Sequence, residues 1–313
     1  MRVLVTGGAG FIGSHVADAA LEQGHEVLVL DDLSSGRREN VPAKAAFAQV
    51  DLRDEKKVHE TVSSFRPDAI SHQGAQTSVA VSTREASRDA AINVVGGIHL
   101  CDAAVAHGVK HVVFASTGGA IYGEVPEGLR AKEGDPERPL SPYACSKLAF
   151  EHYLTGYYAK ERGLKSTVLR YGNVYGPRQD PHGEAGVVAI FAQRIKARQT
   201  IQVNARRASG DGGCVRDYVF VRDVVRANIA ALAGKVGAPL MNVGTGEPVT
   251  TQQLAELLQR ELGITVEVKD GPRREGDLER SVLDPTRYVE TLGALTPLAE
   301  GLAETARWFA GRD

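Results

Sequence analysis

Tyr143 and Lys147, set at helical spacing, are the side chains best placed for acid–base chemistry. Ser141 is suited to cap a helix and Pro142 to sit in its first turn. Good helix formers follow from Leu148 to Tyr158. The pair is therefore expected four residues apart on one helix face. A free phenol titrates near ~10 and is a poor base at neutral pH. An ammonium held close by favours the phenolate, and a tyrosine held that way can exchange a proton with a substrate hydroxyl. Y-x-x-x-K also occurs on ordinary surface helices, so its meaning depends on whether the chain binds a hydride acceptor.

The N-terminus has the pattern such an acceptor needs. Arg2 to Thr6 is a short β-rich run that leads into Gly7, Gly10, Phe11, Ile12 and Gly13, and Ser14 to Gln23 reads as a helix ended by Gly24. Strand, glycine turn and helix together form the context of a dinucleotide fingerprint. Gly7 permits the turn, Gly10 lets backbone approach a pyrophosphate, and Gly13 allows close helix–strand packing. The spacing here is G-x-x-G-x-x-G. The next strand, Glu26 to Leu30, runs into Asp31, 18 positions after Gly13. A carboxylate there can bind the adenosine ribose hydroxyls and repels a 2′-phosphate, which favours NAD over NADP. Asp32 is an alternative for the same task.

Bulk properties narrow the class. The 313 residues suggest two domains. Hydrophobic residues make up 42% and charged residues 24%, ordinary for a globular enzyme. A net charge of -2 advertises no nucleic-acid or anionic-membrane surface. No apolar run reads as long enough to span a bilayer. Met1 leads straight into strand pattern, leaving no room for a signal peptide. Cys101, Cys145 and Cys214 show no metal spacing, and Cys145 reads as a small packed residue. The expectation is a cytoplasmic protein with reduced thiols, no metal, no nucleic-acid partner and no membrane partner.

Further motifs follow in order: DDLSSG (Asp31 to Gly36), DLRD (Asp51 to Asp54), FASTGGAIYG (Phe114 to Gly123) and SPYACSK (Ser141 to Lys147). LRYGNVYGPRQ (Leu169 to Gln179), VRDYVFVRDV (Val215 to Val224), NVGTGE (Asn242 to Glu247) and PRREGD (Pro272 to Asp277) complete the set. On these motifs, nearly end to end, the chain resembles the extended short-chain dehydrogenase/reductase superfamily. Within it, the chain is most similar to the NAD-dependent nucleotide-sugar epimerases of the UDP-glucose (UDP-galactose) 4-epimerase kind. The resemblance implies an α/β fold: a doubly wound parallel sheet (Rossmann) at 1–171 and a smaller α/β substrate domain at 172–313. Boundaries are interleaved, with part of 215–245 returning to the first sheet. It also implies a homodimer through the helix at Ala86 to His107 and the helix beginning at Tyr143.

The resemblance implies roles residue by residue. Ser35, Gly36, Asp51 and Leu52 flank the adenosine; a strand-to-helix cap at Asp51 is an equally good physical reading. Gln73, Gly74, Ala75, Gln76 and Tyr171 line the nicotinamide side, although relatives carry a more apolar sequence around Gln73. His72 reads as a packed, hydrogen-bonded histidine. Thr77, Ser78 and Val79 face the sugar. Thr117 matches the catalytic hydroxyl position, but Gly118–Gly119 adds a residue before Tyr122, so Ser116 remains an alternative. Gly118 and Gly119 also stand where sugar 4,6-dehydratases carry Asp–Glu, which argues against dehydration. Asn173, Gly186, Val187, Val188, Arg216, Arg274 and Asp277 are candidates for the nucleotide; arginine offers a planar fork for phosphate oxygens. Ser281 stands where narrow UDP-galactose epimerases carry Tyr, leaving space for an N-acetyl group. The implied activity is a UDP-hexose 4-epimerase working by transient hydride transfer to NAD through a 4-keto sugar. A UDP-uronic acid epimerase or decarboxylase and a non-catalytic NAD-binding scaffold are the alternatives.

Overall fold

The computed structural model describes residues 1–181, 186–274 and 276–311; Glu275 of the PRREGD run lies outside them. Seven strands form one sheet: β1 (Arg2–Thr6), β2 (Glu26–Asp31), β3 (Ala46–Gln49), β4 (Ala69–His72), β5 (His111–Thr117), β6 (Lys165–Tyr171) and β7 (Leu240–Val243). Their order is β7-β6-β5-β4-β1-β2-β3. The pairings β1–β2, β1–β4, β2–β3 and β4–β5 are all parallel. Connections run one way from β1 toward β3 and the other way from β4 onward, so the strand order reverses between β1 and β4. In open α/β sheets that reversal opens a crevice at the strand C-terminal ends.

The central strands are largely apolar, as expected where helices cover both faces of a parallel sheet. Val3, Leu4 and Val5 are all fully buried. Leu4, Leu28, Leu30, Ile70, Val112 and Phe114 join Val58, Val62, Leu100 and Phe150 from helices in one cluster. The helix Phe11–Glu22 buries Val16, Ala17 and Ala20. It begins at Phe11, three residues before the expected Ser14, so Phe11 and Ile12 lie in its first turn.

By compactness the chain divides into two units. One comprises Met1–Thr117, Ser141–Arg170 and Val225–Met241; the other comprises Gly118–Leu140, Tyr171–Val224 and Asn242–Asp313. Within 215–245, Leu240–Val243 is the outer strand of the large sheet. Tyr218–Phe220 instead pairs in parallel with Asn173–Tyr175, so Val219 to Val221 does not return to that sheet. In the second unit Thr250 caps the helix Thr251–Leu262 through a reciprocal capping box with Gln253, and Gly263 ends it in the left-handed conformation. Trp308 packs beside Ala189, Ala192 and Phe309.

Two expectations need correction. A continuous helix from Ala86 to Ala106, 21 residues, is long and apolar enough to cross a bilayer by length and composition. Its Gly96, Gly97, Leu100, Cys101, Ala103 and Ala104 are buried within its own unit. Cys145 is exposed rather than packed; one residue on from the buried Ala144, it falls on the helix's outer side.

Candidate active site

The helix of Tyr143 forms for the reasons read in the sequence. Ser141 Oγ accepts from Ala144 N at 3.2 Å, Pro142 occupies the first turn, and the helix runs Pro142–His152 before a π-helical turn at Tyr153–Tyr158. Tyr143 is half-buried, while Lys147 is only 3% exposed. A buried ammonium needs partners. Lys147 Nζ donates to the Ala115 carbonyl at 3.0 Å and sits 4.9 Å above the Phe114 ring. Strand β5 extends through Thr117 and carries Ser116 and Thr117 to its C-terminal edge.

The two hydroxyls differ. Ser116 Oγ donates to the buried Glu151 carboxylate, and Glu151 in turn takes Arg170 Nε at 3.0 Å and its NH2 group at 2.6 Å. Ser116 is thereby committed to the protein. Among the described residues no such tie holds the Thr117 hydroxyl.

His72 is enclosed by Phe114 and Phe150, with ring centroids 5.5 Å away in each case. Thr6 Oγ1 lies 2.7 Å from its Nδ1 and also accepts from Gly74 N at 3.1 Å. Burial, and after it the Lys147 charge, pushes His72 down to about 3. It is a neutral, hydrogen-bonded core histidine, as read from the sequence.

The glycine turn fits a dinucleotide diphosphate. Gly7 has φ +66°, and a Cβ there would lie 2.6 Å from Gly74 N; a Cβ on Gly13 would lie 2.1 Å from Gly7 O. Only glycines let β1, the turn and the Gln73–Gly74 backbone come this close. Gly10 is the N-cap of Phe11–Glu22 and offers no side chain to its first N–H groups. Those groups and the helix dipole remain available to an anion. Asp31 ends β2 with Oδ2 accepting from Ala9 N at 3.0 Å and Oδ1 from Leu33 N at 2.8 Å. Burial pushes its carboxyl up, opposed by these two bonds. Gly36 leaves Asp31 its room, since a Cβ would meet Oδ1 at 2.8 Å. Asp32 accepts from Ser34 N and Oγ, at 2.9 and 2.6 Å, and Ser35 is exposed.

Asp51 forms a two-pronged pair with Arg53 and stands below the usual carboxylate range for that reason first. The cap of Glu55–Phe65 is Asp54, not Asp51. Leu52 is buried. Gln73 Nε2 donates to Ser71 Oγ and Asn228 Oδ1, both at 2.9 Å. Ala75 is half-buried. The stretch Gln76 to Ser78 is held by Asn93, whose carboxamide takes Gln76 N and donates to Gln76 O, both at 2.9 Å. Gln76 Nε2 also donates to buried Asp89 at 2.7 Å, and Asn93 donates to Ser146 Oγ on the Tyr143 helix at 3.2 Å. Ser78 caps Val79–Arg84, and Thr77 Oγ1 is buried with no hydrogen-bond partner among the described residues.

The second unit gathers other expected residues. Ser281, 2% exposed, pairs with Arg216 across adjacent parallel strands. Asp217 beside it is fully buried and accepts from Thr245 N, Gly246 N and Leu283 N at 2.7, 3.0 and 3.1 Å. That carboxylate ties Thr245–Gly246 and Leu283 to the residue next to Arg216. Asn173 N donates to Asp217 O at 2.7 Å, so Asn173 joins this group. Asp277 and Arg216 both act on the Cys214 thiol, which burial pushes up. Arg274 is exposed and reaches Asn204, whose carboxamide oxygen accepts from its Nε at 2.6 Å. Gly186 is a bare N-cap for Val187–Lys196, with Val187 half-buried and Val188 buried. Tyr171 is buried at the end of β6, and Gly118 opens a short helix, Gly118–Ile121. Among the described residues no His, Cys, Asp and Glu side chains group as a metal site.

Residues 3–244 match the NAD dependent epimerase/dehydratase family. The chain belongs to that family. Its curated relatives include the UDP-glucose 4-epimerase of Mycolicibacterium smegmatis, 44% identical over 100% of this chain and 99% of that protein. Its structural relatives include the Thermus thermophilus UDP-glucose 4-epimerase complexed with NAD, with a TM-score of 0.95 and 52% identity over 99% of both chains. The Thermotoga maritima UDP-glucose 4-epimerase with UDP-glucose gives 0.92 and 45% over 99% of both. For a family of epimerases and dehydratases, the telling local feature is Gly118–Gly119, which provides no carboxylate after Thr117.

Sequence reasoning passed over Asn93, Asp89, Asn228, Glu151 and Arg170. One signal was available. Glu151 stands four residues beyond Lys147, on the face that carries Tyr143. The other partners are distant in sequence and became visible only in the fold.

Proposed function

We propose that this protein is a UDP-glucose 4-epimerase that interconverts UDP-glucose and UDP-galactose with bound NAD. The observation that carries the reading is the buried Lys147 ammonium, anchored on Ala115 one helical turn from half-buried Tyr143. Gly7, Gly10, Phe11, Ile12 and Gly13 hold the cofactor's diphosphate, and Asp31 takes the adenosine ribose. Bound NAD supplies a reversible acceptor for the hydride at sugar C4. Tyr143, as phenolate beside a fixed positive charge, removes the proton of the 4-hydroxyl and later returns it. Thr117 hydrogen-bonds the same sugar oxygen, while Ser116 keeps its bond to Glu151. Inversion requires the 4-keto sugar to turn over between the two proton transfers, so the chain must grip the nucleotide and hold the sugar loosely.

Arg216, Arg274, Asn173 and Asp277 are suited to the nucleotide and its charge. Ser281 in place of a bulky aromatic supports admission of N-acetylated sugars as well. A homodimer is supported by Val95, Tyr153 and Tyr157, which expose apolar area on helices that pack together. The unpaired thiols of Cys101, Cys145 and Cys214 suit a reducing, cytoplasmic setting.

The test is to mix purified protein with UDP-galactose and no added NAD, then assay UDP-glucose and the nicotinamide released on denaturation. The expected result is conversion by protein that already carries NAD. Tyr143→Phe should lower turnover by roughly 10²- to 10⁴-fold. No conversion by NAD-loaded protein would sink the assignment, and a Tyr143→Phe variant equal to the parent would favour a scaffold role.

A further inference from the structure

Glu151 and Arg170 form an ion pair that the chemistry above does not use. They are 5% and 2% exposed, and Arg170 reaches both carboxylate oxygens. Burying such a pair is weak evidence for stability, because desolvation offsets most of the attraction. Its location is more informative. Glu151 lies four residues beyond Lys147 and eight beyond Tyr143, so all three share one helix face. Lys147 donates to the carbonyl of Ala115, and Ser116, the next residue of β5, donates its hydroxyl to Glu151. Two consecutive residues at the strand end are thus tied to two consecutive turns of the helix. Thr117 follows them directly.

We propose that Glu151, oriented by Arg170 and gripping Ser116, is a positioning residue that sets the register of the Tyr143 helix against β5. Through that register it places Thr117 and Lys147 relative to Tyr143. This inference rests on the epimerase reading above. Arg170 occupies both oxygens of Glu151 and so fixes the direction in which the carboxylate meets Ser116. Without the tie, the end of β5 loses the polar contact that fixes its register on the helix, and the Lys147–Ala115 bond and the Phe114–Phe150 packing, which is less directional, must hold it. A displacement of about an ångström costs up to 10²-fold in rate when reacting groups must be aligned.

The test compares full-length parent, Ser116→Ala and Glu151→Gln. It measures thermal midpoint, bound NAD, UDP affinity, KM, kcat and the isotope effect with UDP-galactose deuterated at C4. In Ser116→Ala the expected result is NAD content and UDP affinity within about twofold of the parent, with kcat down about 10- to 100-fold. The isotope effect on kcat should rise as the chemical step becomes limiting. Glu151→Gln should move in the same direction and further; should it not fold, Ser116→Ala decides. A folded Ser116→Ala with the parent's kcat and isotope effect overturns the inference, as does a loss of kcat that merely tracks lost NAD. A parent that fails to convert UDP-galactose sinks the epimerase reading instead.

Discussion

His72 shows how far burial moves a titratable group. It stays neutral down to about pH 3 in the folded chain, against an ordinary value of 6.5. Between those values the unfolded chain binds the proton and the folded chain does not. Stability therefore falls as pH drops through that window, by up to about 1.4 kcal/mol per unit for one such group. His111, lowered to about 4 chiefly by burial, contributes in the same direction. In urea titrations between about pH 7 and pH 5, the parent should lose stability on acidification more steeply than His72→Asn. Equal slopes would refute the assignment of the effect to His72. At this scale the sequence was partly legible. Tyr143 and Lys147 announce themselves because four-residue spacing is a local rule. Ser116 and Thr117 did not separate, because the group that claims Ser116 is Glu151, 35 residues away. Cys145 was misjudged, because helix register alone does not say which side faces water.

The glycine turn makes the sharpest statement among the elements. A methyl on Gly13 would sit 2.1 Å from the Gly7 carbonyl oxygen, a separation that real contacts do not adopt. Gly13→Ala must push the Phe11–Glu22 helix away from β1 and spread the bare N–H groups. Purified Gly13→Ala should retain no bound NAD and should melt below the parent. Parent-like NAD content would show that the turn does not hold the diphosphate. Glycine spacing, strand and acid were all readable here, because the fingerprint lies within 31 consecutive residues. Element ends were less so. Strand β5 continues through Ser116 and Thr117, past the end of its pairing with β4 at His72 and Phe114, an extension its own residues do not encode. Tyr218–Phe220 looks like any buried strand, and only the neighbouring Asn173–Tyr175 determines its sheet.

For the molecule as a whole, the exposed faces make the testable statement. Tyr153 and Tyr157 are each 45% exposed and Val95 43%, an unusual placement for large apolar groups on neighbouring helices. Light scattering should find two chains per particle in the parent and one in a Tyr153→Glu/Tyr157→Glu variant. A parent that runs as a single chain at micromolar concentration would dispose of the dimer. The unit boundaries have a different consequence. The polypeptide passes from one compact unit to the other after Thr117, Leu140, Arg170, Val224 and Met241. No single scission, and no pair of them, liberates either unit intact. During synthesis the unit that begins at Met1 waits for β7, which emerges only after the ribosome has made about half of the other unit. Gene shuffling that swaps a contiguous half would exchange strands of the large sheet along with segments of the second unit. Evolution of specificity in such a chain must therefore proceed by substitutions scattered through the gene rather than by trading modules.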